Sequence, residues 1–436
     1  MKHLLIIVIT LLPVTLFSQG IFDKIKAKAK SKTEQRVDRK IDKGIDKALD
    51  KAEGAAQPNN NPSTNKTEPT PKPATAEPAV KSEAADTAFK SYSRFDFVPG
   101  EQIVYAENFE QEATGELPAG WNTTGNGEVV TLSTAAGKWL KLFQKSFYLS
   151  ANGKEFSENY TIEFDVILQL KSTGYFYPTF SFGFFSTNGQ PSTDNEFLKG
   201  YNQYNAVETI VYPAEYGKTS VCLNSYKQHK LHFKGDGKPF PSLEKWYGRP
   251  VHVAMWVQKE RLRVWMNEEK VFDIPKAVPV DFVMNQLQFK LDVSNYKDDQ
   301  IGYFISNLKI AKGAADTRHK LLDEGKFSTT GILFDVNSDV IKPASYGVIK
   351  EIASILKEHS EIKLKIIGHT DSDGKDADNL ALSQKRAAAV VKALTDEFGI
   401  DAGRMEPEGK GETVPVSDNK TKEGKAANRR VEFIKQ

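Results

Sequence analysis

The chain has 436 residues, 39% of them hydrophobic and 27% charged. That is about three times the usual domain length at an ordinary water-soluble composition, so two globular units plus non-globular chain are predicted. Its 59 lysines and arginines against 57 acidic residues leave a formal charge of +2, which argues against nucleic acid as a partner. Cys222 is the only cysteine, so an intramolecular disulfide is excluded, and no thiol follows the first apolar run for lipid attachment.

Residues 1–18 read as an export signal. Lys2 and His3 supply the positive end, Leu4 to Phe17 the apolar run, and Ser18 before Gln19 a small residue for cleavage. The run is shorter than the roughly 18 to 20 residues a spanning helix needs, which disfavours the alternative of an uncleaved anchor. The mature chain is therefore expected outside the cytoplasm.

Residues 19–54 form a charged amphipathic segment. Val37, Ile41, Ile45 and Leu49 recur every four residues, with Asp38, Asp42, Asp46 and Asp50 set among Arg39, Lys43, Lys47 and Lys51. So thin a stripe predicts a fluctuating helix, a helix paired with another, or one lying on an anionic membrane surface. Residues 55–91 are rich in Pro, Asn, Thr and Ala with almost no large apolar side chain, as in Thr70-Pro71-Lys72-Pro73. They read as an extended linker.

From 92 to 315 the pattern is all-β, with short aromatic and β-branched runs between Gly, Asn, Pro and Lys clusters. In Tyr160 to Val166 the apolar Tyr160, Ile162, Phe164 and Val166 alternate with Thr161, Glu163 and Asp165, as expected of a sheet with one buried face. Val251 to Val257, Leu262 to Trp265 and Val271-Phe272 predict consecutive antiparallel strands, and Tyr303 to Ile310 a closing strand. A sandwich of two antiparallel sheets follows. Asn108-Phe109, Leu117-Pro118-Ala119-Gly120-Trp121 and the late strand resemble lectin-like jelly rolls of the laminin-G and concanavalin type. That resemblance implies a glycan, or an envelope protein, as the sandwich's ligand. Trp121, Trp246 and Tyr247 are candidate stacking residues, though a core role suits a tryptophan better.

Retaining glycosidases need two carboxyl groups about 5 to 5.5 Å apart, and jelly-roll enzymes set them along one strand. Glu163 and Asp165 begin such a row, but Ile167 and Leu168 follow where a further acid is needed. His229 and His232 lack acidic or cysteine partners at metal-ligand spacing and read as surface residues. No catalysis, metal or cofactor is predicted. The alternative is a glycan- or wall-processing enzyme whose catalytic sandwich is localised by the C-terminal part.

From 326 to 436 strand and helix patterns alternate: strands at Thr330 to Phe334, Ile362 to Ile367, near Met405 and at Val431 to Ile434, with helices at Pro343 to His359 and Asn379 to Phe398. This predicts an α/β sandwich. Within it stand Phe334-Asp335-Val336-Asn337, Gly368-His369-Thr370-Asp371-Ser372-Asp373-Gly374, then Asn379, Leu382-Ser383, Arg386-Ala387, and Asn419 through Asn428-Arg429-Arg430-Val431. These motifs resemble the OmpA-like C-terminal domain of peptidoglycan-associated lipoproteins and flagellar stator proteins, over about a quarter of the chain.

The resemblance implies non-covalent binding of peptidoglycan through the diaminopimelate of its stem peptide. By motif position Asp371 takes the ammonium and Arg386 the carboxylate. The chemistry suits both: a carboxylate accepts from an ammonium, and a guanidinium offers a carboxylate two parallel donors that lysine does not. Asn337, Asn379 and Arg429 add polar contacts by the same resemblance, with Arg430 the alternative to Arg429. The motif's His369 is given no proton-transfer role. Lys425 departs from the arginine common at its position, and Asp373 adds an acid beside Asp371. The expected setting is the periplasm, at the wall and the outer membrane, with any membrane contact peripheral or through a partner.

Overall fold

The computed structural model describes residues 95–313 and 316–436. The expected signal peptide, helical stripe and linker lie outside them. Residues 95–436 belong to one compact unit. No helix among the described residues is long and apolar enough to cross a membrane.

Two eight-stranded antiparallel sheets face each other. In the first, Asn159–Gln169 lies between Pro250–Gln258 and Gly302–Lys312. Strands Arg261–Met266 and Glu269–Ile274 continue the sheet on one side, with Val257 opposite Leu262 and Val264 opposite Phe272. The late strand Gly302–Lys312 is central rather than terminal, since it also pairs with Gln102–Glu107 and Ala135–Leu142. The second sheet centres on Phe180–Ser186, between Asn205–Tyr212 and Gln286–Leu291. The core between the sheets is aromatic: Phe164 lies edge-on to Phe182 and Phe289, with ring centroids 5.1 and 5.3 Å away.

The C-terminal part has four strands in the order Lys326–Thr329, Val431–Lys435, Leu364–His369, Met405–Gly411, only the last pair being parallel. Its helices are α1 (Thr317–Leu322), α2 (Tyr346–Glu358), α3 (Asp376–Asp396) and α4 (Lys422–Asn428). Helix α2 turns Ile349, Ile352 and Leu356 inward and α3 turns Ala387, Val390 and Leu394 inward, onto Ile366 and Phe433 of the sheet. The first strand differs from expectation. It is Lys326–Thr329, whereas Thr330 to Phe334 is loop with a single bridge from Phe334 to Ile341. The physical reason is competition for its backbone, because the Leu333 N–H donates to Ser345 Oγ and the Leu333 carbonyl accepts from Lys342 N.

Alternation in Asn159–Gln169 places Tyr160, Ile162, Phe164 and Val166 in the core, but the opposite face is buried too. Thr161, Glu163 and Asp165 are each 5% exposed or less, a departure from the half-solvated sheet that the pattern predicts. The cover is the C-terminal part, with the segment 95–99 wedged in the seam. Phe95 and Phe97 pack on Trp265 at centroid distances of 6.2 and 5.5 Å, beside Ala344, while Val98 enters the core beneath α2. Gly347 of α2 is required there, since a Cβ would stand 2.3 Å from the Phe97 carbonyl oxygen.

Buried carboxylates demand partners. Glu163 pairs with Lys309 at 2.9 Å, and His252 Nδ1 lies 2.7 Å from Asp165, whose other oxygen accepts from Asn307 at 2.8 Å. Lys342 of the C-terminal part approaches Asp165 at 3.7 Å. Burial alone would pull His252 down, but its contacts with Asp165 and Glu163 prevail and push it up to about 9. Burial would likewise raise Asp165, yet His252, Lys342 and Asn307 hold it at about 2.

A histidine titrates near 6.5 in an unfolded chain, so the stabilisation from His252 is complete below about pH 6.5 and is lost as pH rises through about 9. In urea denaturation, His252→Gln is expected to lower stability by about 3 kcal/mol at pH 6, because it leaves buried carboxylates underpaired. The gap from wild type should close by pH 10. A gap constant across that range would show that the imidazolium is not the stabilising species.

Candidate functional site

The C-terminal motifs converge where α3 lies across the parallel strand pair. That approach depends on missing side chains: a Cβ on Gly368 would meet the Ser383 carbonyl oxygen at 2.3 Å, and one on Gly409 the Gln384 nitrogen at 2.5 Å. Ser383 Oγ then accepts from Gly411 N at 2.8 Å. The loop after Leu364–His369 is consequently held against the first turns of α3.

Asp371 sits in that loop and is 7% exposed. One carboxylate oxygen accepts from Asp373 N at 3.1 Å, and the other pairs with Arg429, whose side chain is 41% exposed. Arg429 caps the C-terminal end of α4. Arg386, on α3, does not pair with Asp371. Its guanidinium donates to the carbonyls of Ser338 at 3.0 Å and Asp335 at 3.4 Å and stacks 4.9 Å from the centroid of Phe334. Among the described residues no carboxylate forms an ion pair with it. Burial, then the nearby Arg429, make its charge less favourable than usual, opposed by Asp371 and Asp339. A half-buried guanidinium flanked by carbonyls and an aromatic ring suits an incoming anion.

Asn337 is exposed, with φ of 53° in the turn that supplies these carbonyls. Such a left-handed conformation is one that asparagine tolerates. Asn379 has a different position from an open contact residue. It is 6% exposed, and its amide donates to the carbonyls of Asp371 and Asp373 at 3.3 and 3.1 Å and to Glu412 at 2.5 Å. It ties the loop to α3 from below.

The two adjacent arginines separate cleanly. Arg430 is buried and gives Nε and Nη2 to Glu432 at 2.9 and 2.7 Å and Nη2 to the Val414 carbonyl at 3.0 Å. Arg429 alone faces the Asp371 loop. His369 lies behind the site, with Glu432 3.6 Å away; burial and then the Arg430 charge hold it neutral, below the ordinary imidazole range. Asp373, which in sequence adds a negative charge, is taken by Lys425 at 2.6 Å. Motif matching passes over this pair and over Glu412 because each needs two segments far apart in sequence.

Glu163 and Asp165 are enclosed by the seam rather than open to a cleft. His229 and His232 are exposed. Trp121 is buried 5.7 Å from Phe109 and 6.2 Å from Phe289, whereas Trp246 is partly exposed beneath Arg249 at 4.8 Å. Tyr247 is half-buried, its hydroxyl hydrogen-bonded to Ala214 and Thr219.

Residues 333–429 match the OmpA family. Outer membrane porin F of Pseudomonas aeruginosa is 45% identical over 101 residues, 23% of this chain and 29% of that protein, so the chain spans less than a third of that relative. The outer-membrane lipoprotein YfiB of the same species is 38% identical over 117 residues, 26% of this chain and 69% of the relative. A crystal structure of the peptidoglycan-associated lipoprotein from Burkholderia pseudomallei aligns at 32% identity, covering 27% of this chain and 98% of its own, with a TM-score of 0.24. By this C-terminal match the chain belongs to the OmpA family.

Proposed function

We propose that this is a cell-envelope protein whose residues 326–436 bind peptidoglycan without catalysis, holding the sandwich of residues 92–315 at the wall. The ligand group is the diaminopimelate side chain of the stem peptide. Its ammonium goes to Asp371 and its carboxylate to Arg386, with Asn337 and Arg429 on the rim and Asn379 fixing the loop beneath. The observation that carries this reading is the state of Arg386: a half-buried guanidinium satisfied only by carbonyls and a ring, within electrostatic reach of Asp371. An anion there gains charge-assisted bonds, and an ammonium on the same carbon gains Asp371. In the free protein Arg429 neutralises Asp371, and an arriving ammonium takes over part of that role.

Membership of the OmpA family supports the envelope setting, and the export signal supports a periplasmic one, at the wall and outer membrane. The lectin-like texture of the sandwich supports a glycan or an envelope protein as its own ligand.

Co-sedimentation with purified diaminopimelate-containing sacculi tests the reading. The wild-type protein is expected in the pellet, and an Asp371→Ala, Arg386→Ala variant with an unchanged circular dichroism spectrum in the supernatant. Pelleting of both would move the wall contact elsewhere on the chain. A stem peptide carrying lysine in place of diaminopimelate keeps the ammonium but lacks the carboxylate and leaves Arg386 unmatched. It should bind about ten- to a hundredfold more weakly in calorimetry, and equal affinity would remove Arg386 from ligand recognition.

A further inference from the structure

Helix α4 is seven residues long, and its two lysines share one side with Arg429, the residue that caps it. At 100° per residue Lys422, Lys425 and Arg429, spaced i, i+3 and i+7, fall within about 60° of each other. Two meet acids of the loop after Leu364–His369, and the third meets an acidic pair in the sandwich. Arg429 takes Asp371, Lys425 takes Asp373, and Lys422 reaches out of the C-terminal part to Glu107 at 2.7 Å and Glu112 at 2.6 Å in the sandwich.

The two glutamates form a prepared socket. Glu107, at the end of strand Gln102–Glu107, is 3% exposed and uses one oxygen to accept from Phe109 N at 2.9 Å. Glu112 uses one oxygen to accept from Ala119 N at 3.0 Å. The remaining oxygen of each is turned to the Lys422 ammonium. Burial raises Glu107 despite the lysine, so its carboxylate depends on that cation.

We propose that Glu107 and Glu112 are positioning residues for the Asp371 site, acting through Lys422 and the rigid α4. The sandwich is then part of the wall-binding apparatus and not only its cargo. The helix transmits placement because it is short and pinned along its length: Thr421 caps it by accepting from Gly424 N at 3.0 Å, and Asn428 holds the preceding loop through Val416 N at 2.8 Å and Ser417 N at 3.0 Å. A shift at Lys422 is carried to Lys425 and Arg429, which set the charge facing Asp373 and Asp371. The ligand side of this inference rests on the peptidoglycan reading given above; the mechanical coupling of Lys422 to Arg429 does not.

The test uses the full mature chain with Lys422→Met, Lys422→Arg, and a Glu107→Gln, Glu112→Gln variant, alongside Asp371→Ala, Arg386→Ala. Two quantities are read: affinity for a diaminopimelate-containing muropeptide, and the NMR Nε–H resonance of Arg429, assigned by its loss in Arg429→Lys. Lys422→Met and the double glutamine variant are expected to bind about tenfold more weakly and to shift the Arg429 resonance, while Lys422→Arg restores both. If Lys422→Met is less stable because Glu107 is left buried and unpaired, the double glutamine variant, which retains hydrogen-bonding groups, carries the comparison. An Arg429 resonance unchanged in both socket variants overturns the coupling. Muropeptide binding that survives Asp371→Ala, Arg386→Ala instead moves the ligand away from this site, and failure of the wild type to bind defeats the peptidoglycan reading; in either case the resonance decides the coupling alone.

Discussion

The architecture depends on burying both faces of the strand Asn159–Gln169. Its inward face supplies ordinary apolar packing, but Glu163 and Asp165 on the other face lie where water is excluded. Ionised carboxylates persist there only with cations and donors close by. Lys309, His252 and Asn307 come from the same sheet, and Lys342 comes from the part that covers it. This requirement joins the sandwich to the C-terminal part. Trp265 and Trp256 on the same face are covered in the same way, by Phe95 and Phe97. The seam is therefore an interior of the protein, with the aromatic packing and paired charges that an interior needs.

A second constraint is the direct seating of α3 on two strands, which the absence of side chains at Gly368 and Gly409 permits. Once α3 is so placed, the motif residues divide by position. Ser383, Asn379, Asn428 and Arg430 are enclosed and spend their hydrogen bonds on the chain itself. Asn337 and Arg429 stay exposed, while Arg386 is half-buried at the 335–338 turn. The most polar motif residues are thus not equally available to a ligand. Many of them build the frame on which a few are presented.

The resemblance to OmpA-family relatives covers only the C-terminal part, yet that part here meets the sandwich at the carboxylate seam and at the Lys422 socket, among other contacts. The second lies at one end of the helix whose other end carries Arg429. On the proposed reading the sandwich bears on the binding site without touching ligand, through a lysine held by an acidic pair from another part of the chain.

Much was legible in sequence because it is local. Period-four spacing placed Ile352 and Leu356 of α2, and Val390 and Leu394 of α3, against the core; alternation placed Ile162 and Phe164 between the sheets; the resemblance of the motifs around Gly368, Asp371 and Arg386 to the OmpA-like domain marked the candidate site. Tertiary structure decided what alternation and motif leave open. Alternation tells which side chains share a face of a strand, not what will cover that face, so the burial of Glu163 and Asp165 was invisible. A motif tells which polar residues travel together, not which will be used internally, so the enclosure of Asn379, the separation of Arg429 from Arg430 and the capture of Asp373 by Lys425 appeared only in three dimensions. The physical reason is that charge pairing and desolvation depend on distance through space, and the groups that neutralise Glu107, Asp165 and Asp371 lie far away along the chain.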